Sequence, residues 1–474
     1  MRVRRYMAGI ALAGFMLLPA FSSGMAQNQE AFSPEKRENR RVLRLTLQES
    51  IRMALARSPQ MKAARARLEM ASARLGQART NFFPKLEGTA SYTRLDIAPF
   101  IPVKSFASVF GGGAPGSQPG VPVQALPKKI TIGDDENYVF SVQLRQPIFT
   151  GGLVWNGYRM AQYGEQAAVL NYRNTQQELT FQVEEAYWNI VKAQKLTEIA
   201  EQSIKQAEAH IRDVENMFRV GLLTRNEVLR AKLQLSNVRS LKIASQKARQ
   251  LVAARFCSLI GVPLDTPIQL MDSLTYEPPE ELTLEQVQQE ALANRLDLKM
   301  LELNARIGEK SVAMSQASYL PSVFLVADYG YRRPDREYNP DFYSTWTVSL
   351  VAQWKLFDWG ERSYKQQEAR AQLEEIHSNL KAAKDGILLQ VTQDFYALKE
   401  AVQKVEIARL ALEQAEENFR ITDDFFDQGM VTHTAYLDAS SALLQARNNY
   451  VTSLADYRIA RARLMKSMGR QLVR

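Results

Sequence analysis

The chain has 474 residues, with 60 Lys and Arg against 51 Asp and Glu, three histidines and one cysteine. A single cysteine excludes an intramolecular disulfide, and His210, His377 and His433 have no ligand spacing, so neither a metal centre nor any other cofactor is expected. The net charge of +9 comes without a Lys/Arg stripe or interleaved aromatics, which argues against a nucleic-acid partner.

In chain order, residues 1–26 read as a secretory signal. Arg2, Arg4 and Arg5 precede an apolar run, and Gly24-Met25-Ala26 offers a small-residue cleavage site. Residues 27–44 read as a linker. A helix is predicted over 46–80, ended by Pro84. Strands follow at 85–95 and 138–148, separated by a Gly/Pro-rich inserted loop at 99–127. In the second strand Tyr138, Phe140, Val142, Leu144 and Ile148 share one face, with Asn137, Ser141, Gln143 and Arg145 on the other.

From Pro147 to Pro263 there is no proline. Val183, Ala186, Ile190, Ala193, Thr197, Ala200, Ile204, Ala207, Ile211, Val214 and Phe218 recur every three or four residues, the period of a left-handed coiled coil. The 67 residues from Gly152 to Phe218 would make a helix about 100 Å long. Gly221 marks the turn into a return helix, and Cys257 within that helix reads as a small packed residue.

The order is then written a second time. Leu45-Thr46-Leu47 recurs as Leu282-Thr283-Leu284, and Pro84 as Pro321, each 237 residues on. Phe149, Gly152, Gly221 and Gly261 match Phe357, Gly360, Gly429 and Gly469 at an offset of 208, the difference being the 99–127 loop. The expected organisation is repeat 1 over 45–260, a proline-rich linker over 261–281 and repeat 2 over 282–474. Repeat 2 holds a helix at 283–318, strands at 323–331 and 346–356, and a second long hairpin.

The four strands have the length, alternation and aromatic ends of membrane-spanning β-strands, with Tyr329, Tyr331, Trp346 and Trp354 forming a girdle. Four strands cannot stand alone in lipid, because open edges leave backbone groups unpaired. The barrel must close between chains. Two copies would give eight strands and three copies twelve, and a conducting role favours the larger barrel.

These features resemble the TolC-like outer membrane efflux proteins. The resemblance rests on the paired Leu-Thr-Leu openings, the strand exits Phe149-Thr150-Gly151-Gly152 and Phe357-Asp358-Trp359-Gly360, and the two glycine hairpin tips. It implies a mainly α fold with a small β part, in which long antiparallel coiled-coil helices form an α-helical barrel. Above them, a homotrimer would complete a 12-stranded β-barrel in outer membrane lipid, with the helices in the periplasm. It further implies a periplasmic adaptor and an inner-membrane pump such as an RND or ABC transporter. Many relatives are lipid-anchored through an N-terminal cysteine, which is missing here, so anchoring is expected from the barrel.

The hairpin tips are the expected working site. Asp423, Asp424 and Asp427 crowd the end of the second long helix, where the helix dipole disfavours them. Arg219, Arg225 and Arg230 surround the first turn, so salt bridges between neighbouring hairpins would hold the entrance shut. By resemblance, Asp438 and Glu227 take acidic gate positions, while Ala435 stands where a second ring carboxylate is usual. Gly221, Leu222, Leu223, Gly429, Met430 and Val431 are expected to dock the adaptor through exposed apolar tips. The alternative is a periplasmic coiled-coil adaptor or a structural envelope protein without a pore. No nucleophile with a nearby base and no phosphate loop suggests an enzyme.

Overall fold

Thr46 starts the first helix by a capping box: its hydroxyl accepts from the Glu49 amide at 3.3 Å, and the Glu49 carboxylate accepts from the Thr46 amide at 2.8 Å. The computed structural model describes residues 42–102, 129–131, 134–335 and 339–470. The 1–26 signal and most of the 99–127 loop lie outside these residues. Strand β1 (Leu43–Leu45) precedes α1 (Leu47–Arg57), and α2 (Pro59–Thr80) follows. The single helix expected over 46–80 is therefore two. Ser58 takes ψ 133° because the ring of Pro59 excludes the helical conformation before it, and Pro59 then sits at the first turn of α2.

β2 (Lys85–Arg94) leads to the short pair β3 (Phe100–Pro102) and β4 (Lys129–Thr131), then to β5 (Glu136–Phe149). Next come the long helix α3 (Leu153–Arg219, 67 residues) and its return α4 (Arg225–Ile260). The predicted stripe lies inward from Val183 to Val214, while Phe218 at its end is exposed.

The segment expected as an inter-repeat linker does more. Its strand β6 (Ile268–Leu270) pairs in parallel with β1, which runs from the end of the segment expected to be an N-terminal linker into the first residue of repeat 1. Asp272 accepts from the Leu47 amide at 2.8 Å, and the Asp272 amide donates to Tyr187 Oη at 3.1 Å. Tyr187 in turn donates to the Leu45 carbonyl at 3.2 Å. With Phe256, Ile260 and Leu179 packed around it, Tyr187 is fully buried, and side chains of this size each contribute about 1.5–3 kcal/mol on burial.

Helices α5 (Leu284–Asn294) and α6 (Leu296–Ala317) repeat the α1–α2 break without a proline. Arg295 is extended there at ψ 125°. Its guanidinium grips Asp297 at 2.6 and 3.0 Å while Asp297 accepts from the Leu298 amide, satisfying a donor at the helix start. Strands β7 (Ser322–Arg333) and β8 (Tyr343–Gln353) lead to α7 (Glu361–Asp427, 67 residues) and its return α8 (His433–Ser467).

The four longer strands make one antiparallel sheet in the order β2-β5-β7-β8. Register places Tyr92 opposite Tyr138, Val142 opposite Tyr329, and Tyr329 opposite Trp346, so the alternating apolar residues form one continuous face. That face is bare, with Trp346 74% and Leu350 69% exposed. β8 ends at Gln353, three residues before the predicted Leu356, where the Trp354 indole donates to the Tyr319 carbonyl at 3.1 Å. A register irregularity lies between Pro147 and Phe149, where proline supplies no ladder donor. β2 and β8 are the outer strands of the sheet, each with one edge unpaired among the described residues.

Near the sheet, α3 packs on α2 and α6; further along it packs on α4 and α8, to which Glu185–Arg463 (3.2 Å) and Lys192–Asp456 (3.1 Å) tie it. The lower part of the molecule is thus two hairpins side by side, joined through α3 and α8.

Candidate gate at the hairpin tips

Both long helices end in the same way. After α3, Gly221 at φ 81° lets its own amide donate to the Phe218 carbonyl and the Leu222 amide to that of Met217. After α7, Gly429 at φ 71° donates to Phe426 and Met430 to Phe425. This paired pattern closes orphan carbonyls and needs a left-handed residue, hence glycine. Thr224 and Thr432 then start the return helices, but only the Thr432 hydroxyl caps, accepting from the Ala435 amide at 3.2 Å.

The apolar turn residues divide. Leu222 and Met430 are exposed at 74% and 66%. Leu223 and Val431, expected to be exposed as well, fold back onto a cluster of Val214, Val228, Phe426 and Tyr436. The chain reverses within two residues of each glycine, so the second apolar side chain points into the hairpin. That cluster draws on α3, α4, α7 and α8, and it joins the two tips.

The charged tip residues do not pair across the hairpins in the way their signs suggest. Among the described residues of one chain, no ion pair links Arg219, Arg225 or Arg230 with Asp423, Asp424 or Asp427. Asp424 instead meets Arg420 of its own helix at 3.3 Å, and Arg230 donates to the Thr434 hydroxyl at 3.1 Å. Burial, helped by the neighbouring Asp427, Asp424 and Asp213 carboxylates, raises the Asp423 carboxyl above the ordinary aspartate value. Asp438 is exposed on α8, with Ala435 one turn before it. Arg225 is exposed at the first position of α4.

Beside the apolar cluster, a contact between two of the three histidines links the tips. Glu227 Oε2 lies 2.6 Å from His433 Nδ1, and His433 Nε2 lies 3.1 Å from His210 Nε2. His210 and His433 are both buried. The His210 ring stacks on Tyr436 at 3.7 Å between centroids, with Phe426 5.2 Å away. Burial first, and the neighbouring His433 second, push the His210 imidazole down to about 4. The sequence marks Glu227 as an acidic tip residue but not its partner His433, because no spacing rule relates residues on different hairpins. Among the described residues, no group of three or more His, Cys, Asp or Glu is placed to hold a metal ion.

A bare apolar sheet with aromatic ends, set above two hairpins with 67-residue helices, defines a membrane-embedded strand region continuous with a long helical one. The family profile of outer membrane efflux proteins matches residues 50–262 and 287–470, and the chain belongs to that family. The alkaline protease secretion protein AprF of Pseudomonas aeruginosa is 23% identical over 338 residues, covering 70% of this chain and 69% of that protein. Protein CyaE of Bordetella pertussis is 24% identical over 430 residues, covering 90% and 84%. In fold, the chain is similar to the Campylobacter jejuni CmeC outer membrane channel, with a TM-score of 0.74 at 17% identity over 89% of this chain and 85% of that one. The protein is an outer membrane efflux and secretion channel family member with its helical region in the periplasm. Members of this family are channels rather than enzymes.

Proposed function

We propose that three copies of the chain form a channel-tunnel, the exit duct of a tripartite efflux or type I secretion system. The observation that carries this reading is the four-stranded sheet with a bare apolar face and two unpaired edges. In hydrocarbon, such edges must be closed, and pairing β8 of one copy with β2 of the next closes them. Three copies give a twelve-stranded barrel wide enough to conduct. The helices support the same closure. In the lower part of the molecule α4 and α7 are outermost, and each leaves apolar side chains exposed, among them Leu233 and Leu251 on α4 and Leu389 and Ile407 on α7.

In this reading the periplasmic tips are the gate. Arg225, Arg230, Asp423 and Asp424 act between neighbouring copies, and Asp438 forms a single weak carboxylate ring because Ala435 supplies no second one. Leu222 and Met430, with the turns at Gly221 and Gly429, dock a periplasmic adaptor, which brings an inner-membrane pump. Leu223 and Val431 support those turns from beneath. The test is planar-bilayer conductance of the detergent-extracted protein, with oligomer mass measured on the same preparation. Small, mostly closed channels from a trimer are expected; a soluble monomer without conductance would refute the reading.

A further inference from the structure

The contact between His210 and His433 constrains protons. An ionised Glu227 carboxylate can only accept, so His433 carries its hydrogen on Nδ1. When His433 is neutral its Nε2 is then a bare acceptor, and the 3.1 Å contact requires the hydrogen of His210 to be on Nε2. The rings are 15° from parallel with centroids 5.1 Å apart, so the two nitrogens meet head to head, as in an N–H···N bond, and do not converge on a common ion. One imidazole can take a further proton with the bond intact. Charging both places N–H against N–H in a buried site.

We propose that His210 and His433, clasped by Glu227, form a proton-operated latch that holds the two hairpin tips of a chain together and releases them on acidification. The latch is a regulation of the gate described above and rests on the reading that the tips are its moving parts.

The surroundings set the sign. From α3, the site is faced by His210 and Asp213; from α4, by Glu227, with Arg230 one turn on and held by Thr434. From α7 come Asp423 and Asp427, whose charges reach Tyr436, and from α8 come His433 and Tyr436 itself. At His210 burial is the leading influence, lowering its imidazole from 6.5 to about 4. The packed tips thus hold fewer protons than separated tips, in which His210 regains its ordinary value. The stabilisation is complete above 6.5 and is lost as pH falls towards about 4. That interval caps the shift in the packed-to-separated ratio at roughly 300-fold per chain.

The experiment measures tip separation in the full-length oligomer, with spin labels on Leu222→Cys and Met430→Cys in a Cys257→Ser background. Labelled chains are diluted among unlabelled ones, and conductance is recorded on the same preparation. Longer distances should appear as pH falls from 8 to 4, with a midpoint between about 6.5 and 4, and His210→Phe should keep the stack on Tyr436 while abolishing the change. A constant distance across this range, a midpoint below 4, or an unchanged titration in His210→Phe would overturn the latch. The unsubstituted histidine pair is titrated in its own right, so misfolding of the variant leaves the test intact. Gated conductance with a constant distance would reject the latch alone, whereas a pH-dependent distance without conductance would reject the channel reading alone.

Discussion

Trp359 and Gly151, 208 residues apart, both hold left-handed backbone at the turn from strand to long helix, with φ 55° and 61°. The two sites differ in their surroundings. A Cβ on Gly151 would lie 2.8 Å from the Ala317 carbonyl oxygen, whereas the Trp359 side chain is 88% exposed beside Phe357. Strain of about 1–2 kcal/mol is the cost of a left-handed non-glycine residue; in the proposed barrel the Trp359 indole would meet the membrane–water interface, a reason for bearing it. Trp359→Gly should raise thermal stability in detergent by about 1 kcal/mol while weakening retention in lipid vesicles. Gly151→Ala should lower stability by more than that, since the clash adds to the strain. Equal melting shifts for the two would contradict this assignment.

The two return helices start on threonines that do unequal work. Thr432→Ala removes a hydroxyl that accepts from the Ala435 amide and should cost about 1 kcal/mol, read as faster amide exchange at the second tip. Thr224 makes no side-chain cap bond, so Thr224→Ala should change exchange little. Identical effects would show that the caps are equivalent in solution.

Glu184 lies on α3 with Oε2 buried and without a hydrogen-bond partner among the described residues, and burial raises its carboxyl from 4.5 to about 7 against the opposing effects of the Trp188 indole and of Arg461 and Arg458. The packed state therefore keeps a proton that the unfolded chain releases. Its charging penalises the fold as pH rises from 4.5 through about 7, by at most about 3 kcal/mol. Melting temperature should fall over this range in the parent protein and fall less in Glu184→Gln. A parallel decline in both would place the titrating group elsewhere.

Arg225 is exposed at its tip, and among the described residues of the chain Asp424 makes an ion pair only with Arg420 of its own helix. If charges between copies hold the entrance shut, Arg225→Glu and Asp424→Arg should each raise open probability several-fold in single-channel recordings. Leakage of large antibiotics into cells should rise in step. Unchanged conductance in both variants would leave the tips held by apolar packing and the histidine contact alone.

Local chemistry made much of the architecture legible in advance. The 3.5-residue stripe and the glycines at 152 and 221 bounded α3 to within a residue, because helical period and left-handed turns are properties of adjacent residues. Alternation likewise assigned both faces of the strands before any partner was known. Only the tertiary structure decided what meets what. β1 and β6 pair across more than 200 residues, Arg295 breaks a helix with no proline to announce it, and Leu223 and Val431 turn inward against a neighbouring hairpin. The contact between His210 and His433 is of the same kind. Each residue alone is an ordinary polar side chain on a coiled coil, and only packing of one hairpin on the other buries both rings and brings their nitrogens together.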